Sequence, residues 1–308
     1  RQVIDIPPIK PHCTEHRSYH KICPQCGREN RGIYPDEVSS PVQYGKGIKS
    51  MAGYMSVYQF LPYRRLSVFF RDVFLLPVSE GSIENILEEM SQKSEVSYRT
   101  VQERILNSEV AGSDETGCRV NGKKHRFHVW QNSILTFIVS FAGRGHSVME
   151  EYFPDGFIRS FYVSDCWVSQ LKTKAKAHQL CIAHLLRELL NFEKSLHDAR
   201  SVRMKELLYR AMALKRTMLA EDYQNPPEEV IILNEELDAL LSVDASGFHR
   251  REQAFISRLQ KHRQSILTFL LCPRVPPDNN ASERAIRNVK VKTKVSGRFR
   301  NTEGRKGC

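Results

Sequence analysis

The sequence predicts a mixed α/β protein in which helical segments flank a sheet. Three observations carry that prediction. Short segments of helical period, each with a cap or a break, fill residues 46 to 107. From residue 110 the texture changes to apolar runs rich in Val, Ile and Phe, with the hairpin signal Asn121-Gly122 among them. A long helical pattern then runs from Lys172 to about Leu271.

Taken in order, residues 1 to 10, RQVIDIPPIK, read as an extended strand ending in a Pro-Pro turn. The stretch HCTEHRSYHKICPQCGREN follows. Its Cys23-Pro24-Gln25-Cys26-Gly27 core has the form of a zinc knuckle, where a tight turn lets both thiolates face one ion. Zinc takes four ligands, and the nearby candidates are His12, Cys13, His16 and His20, none of them in a second matching pair. A redox role for C-x-x-C would expect a βαβ context, which is absent here.

Tyr54, Val57, Tyr58 and Leu61 recur at helical spacing, and Pro62 opens a second helix, YRRLSVFFRDVF. Pro77, Ser79 and Gly81 break it. Ser82 is the expected cap of a third helix, IENILEEMSQK, and Ser97 of a fourth, YRTVQERIL. Short helices joined by tight turns suit a helix-turn-helix DNA module and an ordinary helical bundle alike.

Residues 113 to 142 read as a three-stranded meander, SDETGCRV, HRFHVWQ and LTFIVSF. A further strand, FIRSFYVSD, ends on Asp165. The long helical region is interrupted at NPPEE (225–229) and at 244–247. No segment repeats at a fixed period or is of low complexity. Trp130 and Trp167 are expected in the core, the alternative being stacking on an unpaired base.

Composition narrows the function. Of 308 residues, 46 are Lys or Arg and 35 Asp or Glu, a net charge of +11 that points to a polyanionic partner such as nucleic acid rather than merely to a solvated basic surface. No apolar stretch reaches the roughly 18 residues of a membrane span, and no signal-peptide pattern opens the chain, which argues against a membrane role. Eight cysteines, scattered singly apart from Cys23 and Cys26, do not form a secreted disulfide framework and fit a reducing compartment. The chain, without an initiating Met and without a closing element after TEGRKGC, reads as a piece of something longer.

Three acids lie where acids face clefts: Asp114 at the start of the meander, with Glu115 an equal candidate; Asp165 at a strand end; and Glu283 in the first turn of a helix after Asn280. Two aspartates and a glutamate can hold two Mg²⁺ ions for phosphodiester chemistry. The competing readings are a loop acid at 114, a helix cap at 165, and at 283 a capping box with Asn280 as N-cap. The spacings, 51 residues from 114 to 165 and 118 from 165 to 283, decide nothing alone. After Glu283 come Arg284, Arg287, Lys290, Lys292, Lys294, Arg298 and Arg300, and VKVKTKV (289–295) reads as an extended strand with lysines on one face. Such a strip suits phosphate contact, the alternative being an edge strand protected by lysines.

These stretches resemble insertion-sequence transposases of the IS66 type. The resemblance rests on DIPPIKPHCTEH, CPQCG, VQYG, QFLPYRR, LPVSEGSIENIL, SDETGCRVNGKKH, FYVSDCW, HQLCIAHLLREL and PDNNASERAIRNVKVKTKVSGRFR, which run in family order over nearly the whole chain. It implies a DDE transposase with an RNase H-like core, and it chooses Asp114 over Glu115, joined by Asp165 and Glu283 as the catalytic, metal-binding acids. It implies two Mg²⁺ or Mn²⁺ ions, structural Zn²⁺ at Cys23 and Cys26, and contact of the basic strip with DNA. The implied partners are terminal inverted repeats, target DNA, a second copy on paired ends and accessory transposition proteins, in a bacterial cytoplasm. The expected organisation is a zinc segment over 1–45, a DNA-binding helical region over 46–108, and a catalytic core over 109–308 with a helical insertion at about 185–272.

Cys181-Ile182-Ala183-His184 matches a C-x-x-H element near the start of such insertions; it suits a ligand pair or packing on a helix face, and packing or a structural role is the expectation. The family's zinc region has a further cysteine pair upstream, so Cys23 and Cys26 stand as half a ligand set. Similar proteins continue past Cys308, so activity of this piece by itself is not implied. The rival reading, from another class, is a non-catalytic, zinc-containing DNA-binding protein derived from a decayed or repurposed copy.

Overall fold

The computed structural model describes residues 1–7, 9–142, 145–196 and 199–296. The chain divides into two compact units, Arg1–Ser94 and the residues from Glu95 on. In the first, β1 (His20–Ile22) and β2 (Glu29–Arg31) form an antiparallel hairpin around the Cys23–Cys26 turn. Gly27, at a φ of 69°, returns the chain, and its N–H bonds to the Cys23 carbonyl. Residues 1–7 are not a strand, contrary to expectation. Val3, Ile4 and Ile6 are exposed, and an extended segment becomes a strand only when a neighbour takes its backbone groups.

Three helices follow: α1 (Lys46–Gly53), which widens into one π-turn at Tyr54–Tyr58, α2 (Tyr63–Phe74) and α3 (Glu80–Lys93). Pro62 sits at the N-cap of α2, where its missing N–H costs nothing. Leu66, Phe70 and Phe74, four residues apart, meet Ile83, Ile86 and Leu87 of α3 in a small core. Tyr54, Val57 and Tyr58 lie in the π-turn and are exposed. One expectation fails here. The cap of α3 is Ser79, whose side chain accepts from the Ser82 N–H, so Ser82 lies one turn inside the helix.

The second unit opens with α4 (Glu95–Leu106), which contains Ser97 rather than starting after it. This helix packs on the sheet: Tyr98 stacks near Phe137 and donates its hydroxyl to the Ile138 carbonyl at 2.6 Å. The sheet begins with β3 (Val110–Val120), β4 (Lys123–Gln131) and β5 (Thr136–Phe141), the predicted meander, with Asp114 inside its first strand rather than at the start. Asn121 and Gly122, at φ values of 49° and 76°, make the tight turn their sequence announces. Then come α5 (Ser147–Tyr152), β6 (Phe157–Ser164), α6 (Val168–Leu171) and β7 (Ala175–Leu180).

Strand order is β5-β4-β3-β6-β7, with β3, β6 and β7 mutually parallel. β7 overturns the expectation of helix from Lys172. Its AKAHQL composition favours a helix locally, but pairing with buried β6 overrides that preference. Both faces of the sheet are covered. Tyr162 packs with Trp130, Phe137 and Phe153 on one face, while Phe161 and Val163, of opposite parity, pack with helices on the other. Trp130 is 2% exposed and donates its indole N–H to the Tyr162 hydroxyl, as expected of a core tryptophan. Trp167 is instead 43% exposed, because it follows the strand end.

Helices α7 (Ile182–Leu196), α8 (Ala199–Thr217), α9 (Glu228–Leu241) and α10 (Arg250–Lys261) cover that second face. Stripes such as Leu185-Leu189-Phe192 and Leu233-Leu237-Leu241 supply its core, and the breaks at 225–229 and 244–247 fall where the sequence puts them.

The last described helix is α11 (Asn280–Ser296). It absorbs residues 289–295, which are therefore not a strand. Ser282, Ile286 and Val289 are buried and Thr293 half-buried, a 3.6-residue period that outweighs the short Lys/Val alternation.

Gly156 lies in the left-handed region at a φ of 69°, and a β-carbon there would stand 2.5 Å from the Lys174 carbonyl oxygen. That carbonyl accepts the Phe157 N–H at the start of β6. Gly156→Ala is therefore expected to destabilise the sheet unit by about 2–4 kcal/mol, as backbone strain adds to overpacking against an immovable backbone atom. Urea unfolding of the two proteins measures this; a difference within error would mean the β6–β7 entry relaxes freely.

Candidate metal centre

The register of the parallel strands builds the centre. Gly112 of β3 pairs with Val163 of β6, an offset of 51, which is also the spacing from Asp114 to Asp165. The two aspartates therefore come close together just past the last β3–β6 pair, at the C-terminal end of β6. Ser164 of β6 pairs with Leu180 of β7, so the following residues, Asp165 and Cys181, are neighbours as well. His184, three residues on, returns to the same spot from the first turn of α7.

Glu283 arrives from the other direction, on α11. That helix docks against β3 and β4 through its first turn. The buried Asn279 donates its amide to the Ser113 carbonyl at 2.6 Å, and Gln131 donates to the Ser282 hydroxyl. Gly112 allows this close approach, for a β-carbon there would meet Gln131, Ser282 and Asn279. The predicted capping box at Asn280 is not formed: the Asn280 N–H donates to Asp278 Oδ1, and Glu283 Oε1 accepts from Arg187 at 2.9 Å.

The tightest grouping is Asp165, Cys181 and His184, whose ligand atoms all lie within 4.8 Å of one another. Among the described residues this is the one group of three or more such side chains that could hold an ion. His184 stands between two acids, with Nδ1 3.0 Å from Asp165 Oδ1 and Nε2 3.8 Å from Glu283 Oε1. The sequence points to a packing or structural role for Cys181 and His184, with a ligand pair as the alternative; Cys181 is buried, and both residues stand in this grouping.

The electrostatics follow. Burial, then repulsion from Asp165, pushes the Asp114 carboxyl up to about 6. Burial, then repulsion from Glu283, does the same for Asp165, also to about 6. Lys290 and Arg187 partly offset this, Lys290 at Asp114 and Arg187 at Asp165. Burial, reinforced by Arg187, lowers the proton affinity of His184. Glu115, the alternative to Asp114, is committed elsewhere: it pairs with Arg126 at 2.6 Å and lies 3.6 Å from His128.

The basic residues predicted beyond Glu283 follow the helix. Arg284, Arg287, Lys290 and Lys294 are exposed and Lys292 is half-buried, while Arg298 and Arg300 lie outside the described residues. In the other unit, backbone N–H groups of Cys26 and Gln25 lower the Cys23 thiol. Among the described residues no third His, Cys, Asp or Glu gathers with Cys23 and Cys26 into an ion-binding group. No helix of the described residues is long and apolar enough to cross a membrane.

Two comparisons bear on this arrangement. The family model described as Transposase IS66 family matches residues 41–307. No curated protein matches the chain.

Proposed function

The chain belongs to the IS66 transposase family, and from that premise we propose that it is a DNA transposase whose catalytic carboxylates are Asp114, Asp165 and Glu283. The observation that carries the reading is convergence: acids 51 and 118 residues apart in sequence come together beside the end of β6, close enough that the charge of Glu283 bears on both Asp114 and Asp165. The sheet order, three antiparallel strands followed by two parallel ones, supports an RNase H-like core.

The donor set fits divalent cations. Three carboxylates gather beside the end of β6, two of them with raised proton affinity, and Asp165 Oδ1 is buried without a hydrogen bond. Asp114, Asp165 and Glu283 would hold the ions. When bound, two Mg²⁺ or Mn²⁺ ions would supply Lewis-acid stabilisation to the attacking and leaving oxygens of an in-line displacement.

The protein's own groups supply position. Asp114 and Asp165 are fixed by strand register, and Glu283 by the docking of α11 and by Arg187. Arg284, Arg287, Lys290 and Lys294 on the same helix would take DNA phosphates, with Lys290 nearest Asp114. In the first reaction water attacks the phosphodiester at the element's end and a 3′-hydroxyl leaves. In the second that hydroxyl attacks a target phosphodiester, exchanging one P–O bond for another. Cys23 and Cys26 would contribute to a structural zinc site, and the helices of residues 46–93 would contact the terminal repeats as the ends pair on two copies.

The test is nicking of DNA that carries the element's ends, with and without Mg²⁺. Metal-dependent nicking at the ends supports the reading. Binding without nicking favours the rival, a non-catalytic DNA-binding protein. Binding should also weaken steeply with salt, and removing Lys290 should lower that salt slope by about one.

A further inference from the structure

Among the described residues, the side chains that group closely enough to hold an ion are not three acids but an acid, a thiol and an imidazole. We propose that Asp165, Cys181 and His184 form a binding site for a borderline-soft divalent cation of the zinc class, overlapping the carboxylate set at the shared Asp165. Two independent observations support it. The first is proximity: one atom each of oxygen, sulfur and nitrogen lies within 4.8 Å of the others. A tetrahedral ion with bonds of about 2.0–2.3 Å needs ligand atoms about 3.3–3.8 Å apart, so the widest pair would close by roughly 1 Å through side-chain rotation.

The second is how two of those atoms are left. Asp165 Oδ1 and His184 Nδ1 are both buried and lie 3.0 Å apart, yet neither makes a hydrogen bond. Buried polar atoms are nearly always paired, and each exception has a cause. Two buried polar atoms this close but outside hydrogen-bond geometry make an arrangement that a cation between them would complete.

The surroundings fit the same reading. Cys181 is fully buried, and its Sγ accepts the Asn279 N–H at 3.2 Å, which fixes the sulfur in place. With Nδ1 turned to Asp165, the other ring nitrogen of His184 faces Glu283 at 3.8 Å. The chemistry also selects the ion. Mg²⁺ demands oxygen ligands in octahedral geometry and dehydrates reluctantly, so a thiol and an imidazole reject it, whereas Zn²⁺ and Co²⁺ accept both.

The site does not rest on the catalytic reading, since it would bind its ion whether or not the chain cuts DNA. Only its consequence does: an ion held here takes Asp165 away from the carboxylate set, so zinc would oppose the hard-cation chemistry.

Co²⁺ alone is the probe, because a cobalt–thiolate bond has its own near-ultraviolet charge-transfer absorption. The full chain carrying Cys23→Ser and Cys26→Ser removes the other thiol pair. In that background we expect a cobalt–thiolate band that one equivalent of Zn²⁺ bleaches and excess Mg²⁺ leaves in place. The band should vanish in Cys181→Ser and persist in Cys166→Ser, whose thiol neighbours the site. His184→Gln provides a second variant should Cys181→Ser fail to fold, and is expected to weaken Co²⁺ binding at least tenfold. Absence of the band in the starting background, its survival in folded Cys181→Ser, or unchanged affinity in His184→Gln would each overturn the proposal.

Discussion

An Asp165→Asn chain is expected to lose Mg²⁺-dependent nicking by about 10²–10³-fold or more, and yet to unfold at a higher temperature than the wild type when metal is absent. Both effects come from one carboxylate. The wild-type group is mostly buried beside Glu283 and Asp114, and its proton affinity is raised to about 6. An unfolded aspartate titrates near 3.9. Between those values the folded chain holds a proton that the unfolded chain has released, so stability falls as pH rises through this window. Below it the acid is neutral in both states and carries no penalty; above it the penalty is complete. Asparagine keeps the shape without the charge.

The stability advantage of Asp165→Asn should therefore be near zero at about pH 4, grow as pH rises to about 6, and hold level beyond that. Thermal unfolding of both proteins across that range, in chelator, reads it directly. A mutant less stable than wild type at pH 7 would mean that Asp165 is a structural partner of His184 rather than an acid kept for a cation. The combination of lost activity and gained stability is what a functional site under electrostatic strain should give.

Gly112→Ala should have the next largest effect, although residue 112 touches no substrate in the proposed chemistry. Its β-carbon would lie 2.8 Å from Ser282 Oγ and 3.1 Å from Asn279 Oδ1. The Gln131 amide, at 2.6 Å, is the far end of a flexible side chain and can move aside. Ser282 and Asn279 cannot, for their side chains are short and Asn279 is held to the Ser113 carbonyl. The first turn of α11 must then rise, taking Glu283 with it. A displacement of about 1 Å in a catalytic group costs on the order of 10²-fold in rate, and the overpacking costs about 1–3 kcal/mol of stability.

Adding Ser282→Ala to Gly112→Ala removes the nearer obstacle on α11. Partial recovery of nicking in the double variant, beyond what the single changes add up to, would show the coupling. Full activity of Gly112→Ala alone would mean that the position of Glu283 does not depend on this contact.

How much of this the sequence disclosed depends on the range of the interaction. Features set by neighbours within a few residues were legible: the Asn121-Gly122 turn, Pro62 at the start of α2, the meander and the breaks between α8, α9 and α10. The misreadings arose where a distant partner overruled a local preference. AKAHQL became a strand because β6 lay beside it, and VKVKTKV joined a helix because Ile286 and Val289 had a sheet to pack on. The Ser82 and Ser97 caps were close errors of another kind, since neighbouring serines offer the same chemistry and final geometry chooses among them.

The centre divides in the same way. Motif resemblance picked out Asp114, Asp165 and Glu283 without saying how they meet, and it named Cys181 and His184 as accessory residues without placing them beside the acids. By itself the sequence determined which side chains were available and which short elements would carry them, because propensities, caps and turns act through a few adjacent backbone bonds. Only the tertiary structure decided that five residues between 114 and 283 gather beside the end of β6. That outcome rests on a register offset of 51 between two strands, on a third strand beside them, and on a glycine that lets a helix come close. Those are pairings between distant parts of the chain, and no local stretch encodes both partners.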